Sequence, residues 1–391
     1  VTFNFPMYNS IASSTSDTYC AGTIRVSSDN FSTCVRMSSP GPVRSNANQT
    51  FTLDPVDNLL YDTTYKIKVT GGADADPNEA VKSALGNILS NQYESSFTTS
   101  PSPSSSVSGL FMAVGSGGKI LRSTDNGSSW DIATSCQFST NLYGITFGNN
   151  TFVGVGYSGN IVRSTDNGSS FDNVTSPIET NLYGITFGNN TFVGVGTDGK
   201  IVRSTDNGSS WDNATSCQFS TNLADVTFGN NTFVAVGTSG NIVRSTDNGS
   251  SFDNVTSPIT TAIKGVTFGN NTFVAVGQSG KIVRSTDNGS SWDNATSPIT
   301  THIKGVTFGN NTFVAVGHSG KIVRSTDNAS SWDNATSNTS NLLGGVTFGN
   351  NTFVADGYSG NIVRSMDNGT NWDNATSPTE NHLEEVTFGN N

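Results

Sequence analysis

From Leu110 to Asn391 the chain repeats itself every 40 or 41 residues, and this period constrains the fold more than any other feature. Periods of that size belong to solenoids and propellers. One unit reads "LYGITFGNN TFVGVGYSG NIVRSTDNG SSFDNVTSP", four short runs of β character divided by Asn-Asn, Ser-Gly and Asp-Asn-Gly turns. Four strands per unit predict a propeller blade. The first unit, "LFMAVGSGGKILRSTDNGSSW", lacks its "TFGNN" strand, and the last ends in a spare one, "EEVTFGNN". The two halves complete one blade. The array therefore predicts a seven-bladed propeller over 110–391, closed by a strand from each end so that no sheet edge is left open.

Residues 1–99 carry no repeat. The runs "VTFNF", "GTIRVSS", "QTFTLDP", "TTYKIKVTGG" and "YESSFTTS" alternate with period two and predict strands. The stretch "LLYDTTYKIKVTGG…FTTS" resembles the bacterial Ig-like domains of S-layer and large surface proteins, which implies a β-sandwich. That family has a further strand before "VTF", so the first strand is expected to be missing here, by trimming or because another segment supplies it. The opening inside a strand-like run reads as a mature or trimmed piece. "SPSPSSSVSG" makes residues 100–109 an extended linker. The expected fold is thus all-β throughout.

Only 13 % of residues are charged, and the net charge is -11. No cluster of Lys and Arg offers a phosphate-binding surface, which argues against a nucleic-acid partner. No apolar run is long enough to span a membrane as a helix. Cys20 and Cys34 share one Ser/Thr-rich segment and are expected to form a disulfide, which points to an oxidising, extracellular setting. Cys136 and Cys217 occupy equivalent places in units separated by one blade. The ring angle between those units holds them too far apart to bond.

The phrase "STDNGSSW" resembles the Asp-box, or bacterial neuraminidase repeat, S/T-x-D-x-G-x-x-W/F. Its copies centre on Asp125, Asp166, Asp206, Asp247, Asp287, Asp327 and Asp367. The carboxylate is expected to accept turn N–H groups, Gly to supply a positive φ, and the aromatic to pack beneath the hairpin. Ala329 replaces Gly in the sixth copy and should carry mild strain. All five Trp are these turn aromatics, hence core rather than ligand platforms. Arg122, Arg163, Arg203, Arg244, Arg284, Arg324 and Arg364 also repeat. Each faces an Asp such as Asp172 or Asp212 across a hairpin, and a cross-strand ion pair is expected. The recurrent "NGS", "NNT" and "NAT" sequons read as turn Asn followed by strand Thr.

Variation collects elsewhere. The chain of a propeller alternates between two faces, and here the second-to-third-strand and fourth-to-first-strand turns of one face have diversified. The first column reads Ser116, Tyr157, Thr197, Thr238, Gln278, His318, Tyr358; the second reads Tyr143, Tyr183, Ala224, Lys264, Lys304, Gly344, Glu384. The residue after the second column is usually Gly but is Asp225 and Glu385 in two units. Tyr, His and acids on loops above a rigid ring suit a ligand face. The expected binding residues are Tyr143, Tyr157, Tyr183, Asp225, His318, Tyr358, Glu384 and Glu385.

Sialidases share the repeat. They pair a Tyr nucleophile with Glu and bind a carboxylate through three converging Arg. Tyr143 or Tyr183 with Glu384 or Glu385 mimics part of that set, but seven equivalent Arg cannot converge, so no enzymatic activity is expected. The resemblance also covers non-catalytic photosystem assembly factors and sortilin-type receptors. These imply a secreted or cell-surface binding protein for a glycan or a surface protein. The alternative is self-assembly into a layer or filament through the Ig-like domain. No cofactor is expected. A weak Ca²⁺ candidate is the loop with Asp74, Asp76 and Asn78, whose hard oxygens also suit a solvated acidic turn.

Overall fold

A computed structural model describes residues 7, 13, 20–56, 59, 63–72, 80–99, 109–133, 139–214 and 220–389. The acidic loop with Asp74, Asp76 and Asn78, the linker before Gly109, and both Cys136 and Cys217 lie outside the described residues. The chain divides into two compact units, Val1–Ser106 and Val107–Asn391. Both are all-β; among the described residues there is no α-helix and no helix long and apolar enough to cross a membrane.

In the first unit β1 (Ile24–Ser27), β4 (Thr64–Val69) and β5 (Tyr93–Thr98) form one antiparallel sheet in the order β1-β4-β5. A hairpin of β2 (Val43–Ser45) and β3 (Thr50–Thr52) forms the other. Period-two alternation turns Ile24, Phe51, Val69 and Val81 into one apolar cluster and Val26, Met37 and Tyr65 into a second. Cys20 and Cys34 are bonded, with Cα atoms 4.9 Å apart.

The second unit is built from seven four-stranded antiparallel sheets. Sheet one of the array contains β9 (Leu142–Gly148), β10 (Thr151–Gly156), β11 (Ile161–Ser164) and β12 (Asp172–Val174). These are strands A to D of a blade, and the next five sheets repeat them. The seventh joins the last strand, Leu383–Gly389, to β6 (Leu110–Gly115), β7 (Ile120–Ser123) and β8 (Asp131–Ile132). Its register runs from Leu383 opposite Gly115 to Gly389 opposite Leu110. Successive A strands pack side by side, and Leu383–Gly389 lies against β9, so the ring closes as the repeat predicts.

Local chemistry explains each blade. The A–B turn puts two Asn in succession at positive φ (48° for Asn149, 58° for Asn150), the geometry of a tight I′ hairpin turn. Phe147 and Phe152 then face each other across that hairpin at 4.6 Å. Gly148 lets the next blade close in: a Cβ there would lie 2.0 Å from the Phe187 ring. Strand B is wholly buried in every blade.

The aspartate turns form as the motif implies. In one copy Asp206 accepts the Ser210 N–H (2.9 Å) and hydroxyl (2.6 Å) and the Ser204 hydroxyl (2.8 Å). The Ser210 hydroxyl, then its N–H, hold this carboxyl down at about 2. Trp211 lies beneath, its indole N–H given to the Gly208 carbonyl at 3.2 Å. Ala329 adopts the same left-handed backbone, φ 60°, fully buried. Its turn is also the one in which the Trp indole N–H, on Trp332, finds no partner. Ala329→Gly should therefore stabilise the protein, by about 1 kcal/mol. Urea unfolding of the variant beside the parent checks this, and a loss of stability would contradict it.

The arginines correct an expectation. Arg163 is in register with Asp172, and Arg203 with Asp212, as supposed. Yet no Arg–Asp ion pair forms among the described residues of the ring. Four guanidinium groups cross to the neighbouring blade: Arg163 Nε donates to the Asn207 carbonyl (2.7 Å), Arg244 Nε to that of Asn288 (2.8 Å), and Arg284 and Arg364 Nη1 to those of Asn328 and Asn126, whereas Nε of Arg122, Arg203 and Arg324 finds no partner. The carbonyl of the next turn, on a half-buried Asn, is within reach, whereas Asp172 and Asp212 are exposed and solvated. The same turn asparagines bridge blades by their side chains. Asn207, Asn248 and Asn288 give Nδ2 to the hydroxyls of Thr151, Thr191 and Thr232, each at 2.7 Å.

Candidate functional site

The A strands surround the ring axis, and their first residues form the mouth of a central cavity of about 340 Å³. Its wall includes Tyr143, Tyr183, Asp225, Lys264, Lys304, Glu384 and Glu385. A second space of about 200 Å³, lined by Asp225, Glu385 and strand hydroxyls such as Thr186 and Thr387, also borders those two acids. The diversified D–A column thus gathers at one place.

The Gly column beside it has a steric cause. A Cβ on Gly184 would lie 2.7 Å from the Asp225 Cα, and one on Gly345 would lie 2.8 Å from the Glu385 Cα. Each glycine of this column faces the backbone of the next inner strand. Asp225 and Glu385 are the two departures, and Asp225 bridges to that next strand at Val266.

Tyr143 and Tyr183 make an aromatic wall, their rings 5.6 Å apart. The Tyr183 hydroxyl is reached by Asn181 Nδ2 and Thr197 Oγ1, each at 3.4 Å. Lys304 lies 3.8 Å from Glu384. Asp225 accepts the N–H of Val226 on its own strand and that of Val266 on the next, each at 2.8 Å. Burial nevertheless outweighs those bonds and pushes its carboxyl up to about 6. The Glu385 carboxyl is also raised well above the carboxylate range, chiefly by burial and then by the charges of Asp225 and Asp356.

Tyr157, His318 and Tyr358 are not brought into this cavity. They sit on the B–C turns farther out, with Tyr157 50 % and Tyr358 37 % exposed. Tyr358 stacks on His382 at 4.1 Å, and Lys304 Nζ approaches its ring at 5.9 Å, so it flanks the cavity through that lysine. His318 meets His302 edge-on at 5.0 Å. Burial, then the charges of His302 and Lys304, lower its pKa.

Asp356 is the residue that reading loops alone misses. It lies on strand B of the sixth blade, Thr352–Gly357, where the other blades carry Val114, Val155, Val195, Val236, Val276 and Val316. It is wholly buried. Its Oδ1 accepts the Gly345 N–H at 3.1 Å, and its Oδ2 has no partner. The Gly–Val rung seen in the fifth blade, Gly305 opposite Val316, is absent in the sixth, because the side chain has taken the Gly345 N–H. The visible signal is one broken repeat, "VADG" for "VAVG". Lys264 and Lys304, in the variable column but not among the expected binding residues, also line the cavity.

The molecule is a seven-bladed β-propeller preceded by an Ig-like unit. In comparison with known proteins, residues 1–99 match the bacterial Ig-like domain and residues 253–385 match the DUF6242 β-propeller domain. No curated protein matches the chain. Solved structures similar to it include YCF48 bound to D1 peptide, at 17% identity and TM-score 0.51, covering 60% of this chain and 80% of that one. YCF48 from Cyanidioschyzon merolae is similar at 17% identity and TM-score 0.50, covering 63% of this chain and 94% of that one. At such identity these likenesses show the fold. The Ig-like domain is of a kind typical of bacterial surface proteins.

Proposed function

We propose that this chain is a non-catalytic extracellular binding protein that holds a glycan or protein partner at the axial cavity of its propeller. The observation carrying this reading is that residues breaking the repeat on separate blades line one cavity. A copied scaffold that drifts at random has no reason to collect Tyr, Lys and acids at one mouth. The turns would be Asp-boxes acting as folding devices, consistent with their engaged carboxylates. No arginine lines the cavity among the described residues, which favours binding over sialidase-type chemistry.

The full chain should be offered glycan and peptide arrays beside a Tyr143→Ala/Tyr183→Ala variant. Signals that fall at least about tenfold in the variant would support the cavity as the site. Signals indifferent to both tyrosines would sink it. A second reading, assembly through the first unit, is favoured by β5, an edge strand with every residue exposed. Concentration-dependent oligomers abolished by proline at Ser95 or Ser96 would favour it.

A further inference from the structure

The inner wall of the ring breaks its repeat with acid in three blades: Asp225, Asp356 and Glu385. Asp225 and Glu385 border both axial spaces. Asp356 reaches toward the same wall from behind, since a Cβ on Gly345 would touch its Oδ1 at 2.9 Å and the Glu385 Cα at 2.8 Å. Its Oδ2 is buried and unpartnered. Buried carboxyls are costly unless something cationic meets them. Among the cavity's described residues the cations are Lys264 and Lys304, and Lys304 already pairs with Glu384. Counting Glu384, three carboxyls line the cavity and Asp356 lies behind its wall, against two ammoniums. The two blades between those of Glu385 and Asp225 carry Tyr143 and Tyr183, and Tyr faces attract cations. An anionic ligand would meet this excess of acid, and a neutral one would leave it unpaired.

We infer that the axial cavity takes a primary ammonium group on an aliphatic stem, its charge between Asp225 and Glu385 and its stem along Tyr143 and Tyr183. The inference rests on the cavity being the ligand site and names what that ligand must carry. The ammonium supplies the counter-charge that the fold withholds. Binding would draw protons off the acids, so affinity should rise with pH while the ammonium stays charged.

Calorimetric titration of the full chain with cadaverine, and with n-pentanol as its neutral counterpart, tests this. Cadaverine should bind with proton release, at least about tenfold tighter at about pH 8 than at about pH 5.5, and pentanol should not bind. Asp225→Asn/Glu385→Gln should lose that binding, and Glu385→Gln alone, which leaves both backbone bonds to Asp225 intact and should melt no lower than the parent, should weaken it at least about tenfold. Cadaverine silent at millimolar concentration, matched by pentanol, or bound equally by the variant would overturn the proposal. A peptide carrying one Nα-acetylated lysine is the second arm. Tighter binding of the peptide assigns the ammonium to a protein partner, and tighter binding of cadaverine assigns it to a small amine. Array ligands lost in the tyrosine variant but indifferent to cadaverine would remove this inference and leave the binding function standing.

Discussion

Asp356→Val should raise stability markedly at pH 8 and much less at pH 4. Burial, against the Gly345 N–H and followed by the nearby charge of Glu384, pushes this carboxyl up to about 8 from an ordinary 3.8; Lys304 acts the other way. Below pH 3.8 both folded and unfolded chains hold the proton, and the site imposes no ionisation cost. Between the two values the unfolded chain releases the proton and the folded chain keeps it, so stability falls by about 1.4 kcal/mol per pH unit. Above about 8 the loss is complete, and it amounts to several kcal/mol. Asp225 and Glu385 shift in the same direction and add to the slope. The aspartate turns work oppositely: Asp206, Asp287 and Asp327, held near 2 by their Ser partners, withdraw stability as acid protonates them. Wild type should therefore be most stable in mildly acidic solution. Urea midpoints across pH check this; a variant with the parental slope, or one weaker than the parent at pH 8, would show that Asp356 is not the origin. Val suits the site because all six other blades place it there in the same ladder.

Removal of Leu383–Gly389 should open the ring. That strand pairs along the whole of β6, all six of whose residues are buried. It buries Leu383 and Val386, and the ring of Phe388 fills the gap at Gly349, where a Cβ would lie 2.0 Å from Phe388 Cγ. Each such apolar side chain contributes about 1.5–3 kcal/mol, so the deletion costs more than about 5 kcal/mol before the ladder is counted. It also bares the hydrogen-bonding edge of β6 and uncovers the flank of β9, which invites aggregation. The truncated chain should melt far lower and bind a hydrophobic dye. A synthetic peptide of residues 381–391, added in trans, should restore much of the loss. A truncated chain that melts like the parent would mean that closure contributes little.

Much of this was legible beforehand. Strand number, blade number and the closing half-blades followed from the period and its two incomplete units. The aspartate turns followed from side-chain chemistry within eight residues, where local hydrogen bonds decide geometry. The diversified face was legible too, because turn order alone sorts loops to one side of a propeller.

Distance from the axis was not. Tyr157 and Tyr183 look alike as loop residues, but β-strand geometry carries the D–A residues inward and leaves the B–C residues outward. The destination of the arginines was hidden for a related reason. Register puts Asp172 opposite Arg163, but a long side chain between stacked blades finds the next blade's turn carbonyl. Asp356 was a single visible letter without meaning until Gly345 and Glu385 stood beside it. A repeated sequence determines the unit, whose contacts fall within about forty residues, and its two incomplete ends determine closure, because each supplies what the other lacks. Only the assembled ring decides which departures from the repeat meet, because the acids on separate blades become neighbours through closure alone.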